Sequence, residues 1–192
     1  MCFLARFNKK SNFNLSGSAD VYYRYNFNNF KEKPWNNKTS FTNSHNSFEL
    51  GMISLKAEHS IGKVGLVADL GFGKRGQEFS YNEQASEDDK STVVIKQLYL
   101  TYAVNDKIKF TMGSWGTHVG YEVLDAYLNR NYSMSYLFSY GPFFHTGVKA
   151  DISLGGTSAV MVGITNPTDF KSASAALKCL LASSLPVPKM VS

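Results

Sequence analysis

Leu15-Ser16-Gly17-Ser18-Ala19-Asp20-Val21-Tyr22-Tyr23-Arg24-Tyr25-Asn26-Phe27 sets Leu15, Ala19, Val21, Tyr23, Tyr25 and Phe27 against Ser16, Ser18, Asp20, Tyr22, Arg24 and Asn26. Side chains of an extended chain alternate between two faces, so this stretch is a strand with one greasy and one wet side. Its length carries further information. A strand that crosses a bilayer needs about 9–11 residues, whereas strands of soluble sheets average about 5–6.

The same pattern recurs along the chain. Val64, Leu66, Ala68, Leu70 and Phe72 oppose Lys63, Gly65, Val67, Asp69 and Gly71; Ile108, Phe110 and Met112 oppose Lys109, Thr111, Gly113 and Trp115. Phe144, Thr146, Val148, Ala150, Ile152 and Leu154 oppose His145, Gly147, Lys149, Asp151 and Ser153. About seven strands are expected, at residues 14–28, 47–59, 62–73, 92–104, 107–116, 143–154 and 157–165. The joints at 29–46, 74–91 and 117–142 are long, and those around Gly62, Asp106 and Gly156 are tight. An antiparallel up-and-down meander with long loops at one end and short turns at the other is the plan of an outer-membrane β-barrel.

Two segments are less regular. Phe48, Leu50 and Met52 share one phase while Ile53, Leu55 and Ala57 share the other, which predicts a bulge near Met52 or a strand buried on both faces. In the fourth, Val94, Leu98, Leu100, Tyr102 and Val104 share a face that Lys96 interrupts. Lysine facing lipid at mid-bilayer costs about 2–4 kcal/mol, so Lys96 must snorkel or mark the strand's outer end. Aromatic residues on the greasy face gather at the long-loop end, at Tyr25, Phe27, Phe48, Phe72 and Phe144, with Tyr102 alone at the other. Such rings are expected at the lipid headgroup boundary. Period-two alternation also serves a soluble extracytoplasmic β-sandwich, here one binding glycans through Trp35, Tyr81 and Tyr121.

Composition removes other classes. No apolar run approaches the ~18 residues of a membrane-spanning helix. Net charge is +5, but Lys171, Lys178 and Lys189 sit in an acid-free tail, leaving about +2 for the patterned part and no footprint for nucleic acid. Cys2 and Cys179 lie outside the pattern and form no zinc spacing or disulfide framework. The acidic stretch between Lys74 and Lys90 reads as a solvated loop. Three regions follow: 1–13 outside the pattern, 14–169 the barrel region, and 170–192 an atypical tail, either a short helix over about Ser172–Ser183 or a segment outside the fold. No export signal opens the chain, and single-chain bacterial barrels have an even number of at least eight strands. Seven strands are therefore read as an incomplete part of a transmembrane β-barrel.

Catalytic and cofactor motifs give little. Gly71-Phe72-Gly73-Lys74-Arg75-Gly76 fits G-x-G-x-x-G, but that fingerprint needs a helix opening onto a pyrophosphate and a second parallel strand, and neither is expected here. His118, Glu122 and His145 invite a metal, yet Gly116 and Gly120 interrupt any helical alignment and no HExxH exists, so structural or pore-lining roles are favoured. No Gly-x-Ser-x-Gly elbow occurs. No enzyme, metal or cofactor is expected.

Gly116-Thr117-His118-Val119-Gly120-Tyr121-Glu122-Val123-Leu124-Asp125-Ala126, continued by Asn131-Tyr132-Ser133, Ser135-Tyr136-Leu137-Phe138-Ser139-Tyr140-Gly141-Pro142-Phe143 and His145-Thr146-Gly147-Val148, resembles the OmpL-like outer-membrane β-barrel porins of Gram-negative envelopes. Ser16 to Phe27 is similar to that family's first strand and Ile95 to Tyr99 to its fourth, so the resemblance covers about residues 14–169. It implies a passive channel in the outer membrane, with the lipid bilayer, small polar solutes or ions and the barrel-assembly machinery as partners. Face assignment then gives the lumen Asp20, Arg24, Lys63, Asp69, Lys109, Trp115, His145, Lys149 and Asp151. The loop from His118 to Tyr140, with Tyr121, Glu122, Asp125 and Arg130 and a helical turn around Ser133–Ser139, is the expected constriction. Mixed lumen charge predicts weak ion selectivity.

Overall fold

Long alternating segments joined by tight turns have one economical way to satisfy their backbone groups, which is to pair each segment with the next. A computed structural model describes residues 2–7, 12–28, 41–79, 93–156, 158–174 and 178–186. Among them nine strands lie in one antiparallel sheet in chain order: β1 (Cys2–Phe7), β2 (Phe13–Arg24), β3 (Ser47–Ile61), β4 (Val64–Phe72), β5 (Val93–Ala103), β6 (Ile108–Gly116), β7 (Phe144–Gly155), β8 (Ser158–Thr165) and β9 (Cys179–Pro186). Among the described residues the helices are minor: α1 (Lys74–Phe79), α2 (Tyr136–Tyr140) and a 3-10 turn at Ala126–Leu128. Among the described residues no helix is long and apolar enough to cross a membrane.

The all-β meander is as expected, with two strands more than the seven read from the pattern. β1 pairs with β2 from Cys2 opposite Asp20 to Phe7 opposite Leu15. β9 pairs with β8 from Thr165 opposite Cys179 to Ser158 opposite Pro186, where a short helix over about Ser172–Ser183 or a segment outside the fold was expected. The Ala- and Leu-rich tail favours a helix locally, but the free edge of β8 offers a full ladder of hydrogen bonds, and strand formation follows tertiary context more than propensity. With nine strands each antiparallel to the next, β1 and β9 run in the same direction. They are not paired with each other among the described residues, so the sheet is open.

Which face is covered separates a barrel wall from a sandwich. Val21, Leu66, Phe110 and Val148 are 41–51% exposed, while Asp20, Asp69, Lys96 and His145 are 3–4% exposed. The apolar face is bare and the polar face is covered, inverting a soluble sheet and leaving no second sheet over the apolar side among the described residues. Aromatics mark the outer face at both ends. Tyr23 packs on Phe48 with ring centroids 4.8 Å apart near the long loops, while Phe13, Tyr102 and Phe110 are exposed towards the tight turns. Phe144 departs from the expected aromatic row. It is buried, with its ring 5.5 Å from that of Phe79.

Two bulges set the phase of the inner face. Asp20 faces Met52 but Val21 faces Leu50, so Gly51 is the extra residue, at the bulge expected near Met52. Asp69 faces Gln97 but Leu70 faces Ile95, so Lys96 is extra in β5. That single residue lets Ile95 and Leu98 both face outward and turns Lys96 inward, which removes the conflict between Lys96 and lipid.

Inside, a small core of Phe41, Met52, Phe79, Val94, Leu124, Met134, Phe138 and Phe144 lies between the sheet's loop-side half and the segments folded over it. The helix α1 follows β4 directly, although a solvated loop was expected from Lys74 to Lys90; the remainder of that stretch lies outside the described residues, as do Trp35 and Tyr81. The six-residue α1 buries Arg75 and Phe79, and among the described residues no parallel strand follows it, so the pattern a dinucleotide fingerprint needs is not formed there.

Candidate functional site: a loop fastened across the inner face

Residues 117–143 run from β6 to β7 and fold over the polar side of the sheet, held by four sets of contacts. The first centres on Asp20, whose Oδ1 accepts Met52 N–H at 2.6 Å and the Tyr132 hydroxyl at 3.1 Å. Arg75, fully buried, places Nε 3.7 Å from Asp20 Oδ2, an ion pair without a hydrogen bond. Its Nη2 donates to the Tyr132 carbonyl at 3.0 Å, and its guanidinium lies 4.8 Å from the centre of the Tyr132 ring. Burial pushes the Tyr132 phenol up to about 12, so it stays protonated and donates to the carboxylate. Gly51 makes the room: a Cβ there would collide with Asp20 Oδ1 and with the Tyr132 hydroxyl.

The second set centres on Lys96. Its Nζ meets Asp125 Oδ1 and Oδ2 at 2.7 and 2.8 Å, Ser54 Oγ at 2.9 Å and Asp69 Oδ1 at 3.1 Å. Ser54 in turn donates to Asp125 at 3.0 Å. Gly71 admits the lysine stem, because a Cβ there would stand 2.9 Å from Lys96 Cδ. A buried ion costs several kcal/mol unless paired and hydrogen-bonded, and Lys96 has both provisions.

The third set is aromatic: Phe138 and Phe143 from the loop meet Phe41 at 5.7 Å each, and Phe143 meets Phe79 at 5.8 Å. The fourth fixes the loop's root and its return. His145 Nε2 lies 3.1 Å from Thr117 Oγ1, and the His118 and His145 rings are 5.4 Å apart. Burial, and then the nearby Lys149 cation, lower the His118 pKa. At the return, Asp169 accepts Phe143 N–H at 2.7 Å and Phe144 N–H at 2.9 Å.

Of the expected lumen residues, Asp20, Asp69, Trp115 and His145 are buried on the inner face. Arg24 donates Nη1 to the Thr42 carbonyl at 2.7 Å. Lys149 approaches Asp151 at 3.3 Å and lies 5.5 Å from the Trp115 ring centre, a cation over an aromatic face. Lys109 and Asp151 pair loosely across β6 and β7 at 3.9 Å. Lys63 stands in the tight turn after β3 and donates to the Val104 carbonyl at 2.8 Å, so it belongs to the turn end rather than to the wall. In the loop, Asp125 is the direct fastener. Glu122 accepts from Ser135 N–H and hydroxyl and so holds the cap of α2, which overlaps the helical turn expected around Ser133–Ser139. Tyr121 and Arg130 are exposed. Glu122 is thereby occupied away from His118 and His145, and among the described residues no three metal-ligating side chains converge.

Lys96, Arg75, Tyr132 and the phenylalanines were not among the expected site residues. For Lys96 the signal was Asp69, an acid on the inner phase of the neighbouring strand. For Arg75 and Tyr132 no local signal exists, since their partners lie 55 and 112 residues away in the chain.

Neither a curated protein nor a solved structure matches the chain. Residues 12–182, from the start of β2 into β9, match the family described as "Putative beta-barrel porin-2, OmpL-like". An antiparallel meander that is bare and apolar outside and polar inside, with a match over most of its length, places this chain in that OmpL-like β-barrel porin family.

Proposed function

We propose that the chain forms wall and constriction of an outer-membrane channel of a Gram-negative cell, passing small polar solutes or ions by passive diffusion. The observation that carries the reading is the inversion of the sheet together with a loop bound to its polar side by the Lys96–Asp125 ion pair and the Tyr132–Asp20 hydrogen bond. Lipid contacts the Val21, Leu66, Phe110 and Val148 face, and solutes pass over Lys109, Lys149, Asp151 and the edge of the loop. Porin-family membership points to a channel rather than an enzyme. No energy source is required, and folding in the cell would rely on the barrel-assembly machinery. The mixed charges of the inner face support weak ion selectivity.

The test is fractionation followed by reconstitution of the purified chain into planar bilayers under a salt gradient. Recovery with outer membrane, ohmic current and a reversal potential near zero are expected. Purification without detergent as a monodisperse soluble protein would overturn the reading, and a strong anion or cation preference would overturn its selectivity.

A further inference from the structure

A cavity of about 230 Å³ opens between the loop and the wall built by α1, β5 and the end of β6. It is smaller than the ~300–1,000 Å³ typical of drug-sized ligands, so its occupant has one ring or a short branched chain. Phe79, Phe138 and Phe143 line it together with Glu122, Asp125 and Lys96. We propose that this cavity binds a small organic ammonium ion, which rests on the reading of the inner face as a lumen.

Three observations select that chemistry. Lys96 has three ammonium hydrogens and hydrogen-bonds both Asp125 oxygens and Ser54, with Asp69 beside it as an ion-pair partner, so the charged donor of the cavity has none to spare for a ligand. Two carboxylates, Glu122 and Asp125, line the cavity with that one ammonium; Glu122 accepts only from the neutral Ser135, and no cation pairs with it among the described residues. Phenylalanine faces attract cations, and most strongly where water is excluded. A ligand that donates N–H bonds, carries positive charge and has an apolar body complements all three. An anion meets uncompensated carboxylates, and a neutral alcohol forgoes the charge.

The experiment titrates the detergent-solubilised full chain with benzylamine, benzyl alcohol and phenylacetate by calorimetry. Benzylamine is expected to bind about tenfold more tightly than either analogue, the size of a partly desolvated cation on an aromatic face. Glu122→Gln keeps an acceptor for Ser135 and removes the charge, and should weaken benzylamine about tenfold while leaving benzyl alcohol unchanged. Leu128→Trp, at the exposed rim, should block all three probes with the circular dichroism spectrum unchanged. Equal binding of the three probes, tighter binding of phenylacetate, or no binding overturns the proposal. Because binding is read in micelles, loss of bilayer current with benzylamine binding intact would count against the channel and not against the site.

Discussion

Asp20, Asp69 and Lys96, on the loop-side half of the inner face, keep 4–5% of their side-chain surface, while Glu58, Lys109 and Asp151, on the turn-side half, keep 31–54%. The first set stands on β2, β4 and β5 and the second on β3, β6 and β7, strands of one sheet with the same alternation and a mixture of charge in each set. What differs is the cover: residues 117–143 and α1 lie over the first set, and none of their hydrogen bonds or ion pairs described above reaches the second. Charge on the dry half must be matched atom by atom, because an unpartnered buried ion costs several kcal/mol. On the wet half, water serves as partner and an ion pair is worth about 0–1 kcal/mol. The dry half therefore specifies where the loop sits, and the wet half is free to meet passing solutes.

The sharpest way to break this contrast is at Lys96. Lys96→Met leaves Asp69 and Asp125 covered without a counter-charge and should cost about 3–5 kcal/mol in urea unfolding of the micellar protein. Adding Asp125→Asn should return part of the loss, with a coupling of about 0.5–3 kcal/mol. If Lys96→Met costs no more than the same change at Lys109, the dry half is no drier than the wet one.

A smaller effect is expected where the loop fits rather than where it is charged. Gly51→Ala drives a methyl group into Asp20 Oδ1 and the Tyr132 hydroxyl, and overpacking of that kind costs about 1–3 kcal/mol. Tyr132→Phe removes the donor but keeps the ring under Arg75, and should cost about 1–3 kcal/mol by leaving a covered carboxylate short of a hydrogen bond. Cleavage of the loop by added protease should accelerate in both variants, and an unchanged cleavage rate would place Tyr132 outside the fastening.

The two halves also differ in how well the sequence foretells them. The inner phase of β2, β4, β6 and β7 follows from alternation alone, so Asp20, Asp69, Trp115 and His145 are legible as inward residues. The bulge at Gly51 is legible too, because Leu50 and Ile53 can share the apolar face only if one residue is inserted between their phases. The bulge at Lys96 is not, since Val94 and Leu98 lie on one phase by count although Val94 is buried inside and Leu98 faces out. No glycine or proline marks the spot; the inward turn is driven by Asp69 across the strand pair and by Asp125 in the loop. β1 and β9 escape for a related reason, as each takes its conformation from a neighbour's free edge.

Acidification probes the loop's root, where the effect is smaller again. His118 has its pKa lowered below the ordinary value of about 6.5 by burial and by Lys149, so the unfolded or detached loop binds a proton more readily than the fastened one. His145 stacks beside it, and of the charges at that corner Lys149 lowers the pKa and Asp151 raises it, with burial the largest influence and the net direction down. Fastening is then complete above about pH 6.5 and weakens as pH falls through and below it. Hydrogen exchange at residues 117–120 should quicken between pH 7.5 and 5 after correction for intrinsic rates, and His118→Gln should flatten that dependence.

The smallest effect on stability is expected on the wet half, and it sharpens the contrast by what it changes instead. Lys109 approaches Asp151 only to 3.9 Å and remains more than half exposed; Lys109→Met should alter unfolding by no more than about 0.5 kcal/mol, as solvated substitutions do. Its charge nonetheless faces the proposed path, so its removal should shift the reversal potential under a salt gradient towards cations, and Asp151→Asn should shift it towards anions. Lys96→Met should produce the opposite profile, a large loss of stability before any clean change in selectivity. Should Lys109→Met destabilise the protein strongly while leaving the reversal potential fixed, the turn-side half would be a packed surface and the solute path would have to run elsewhere.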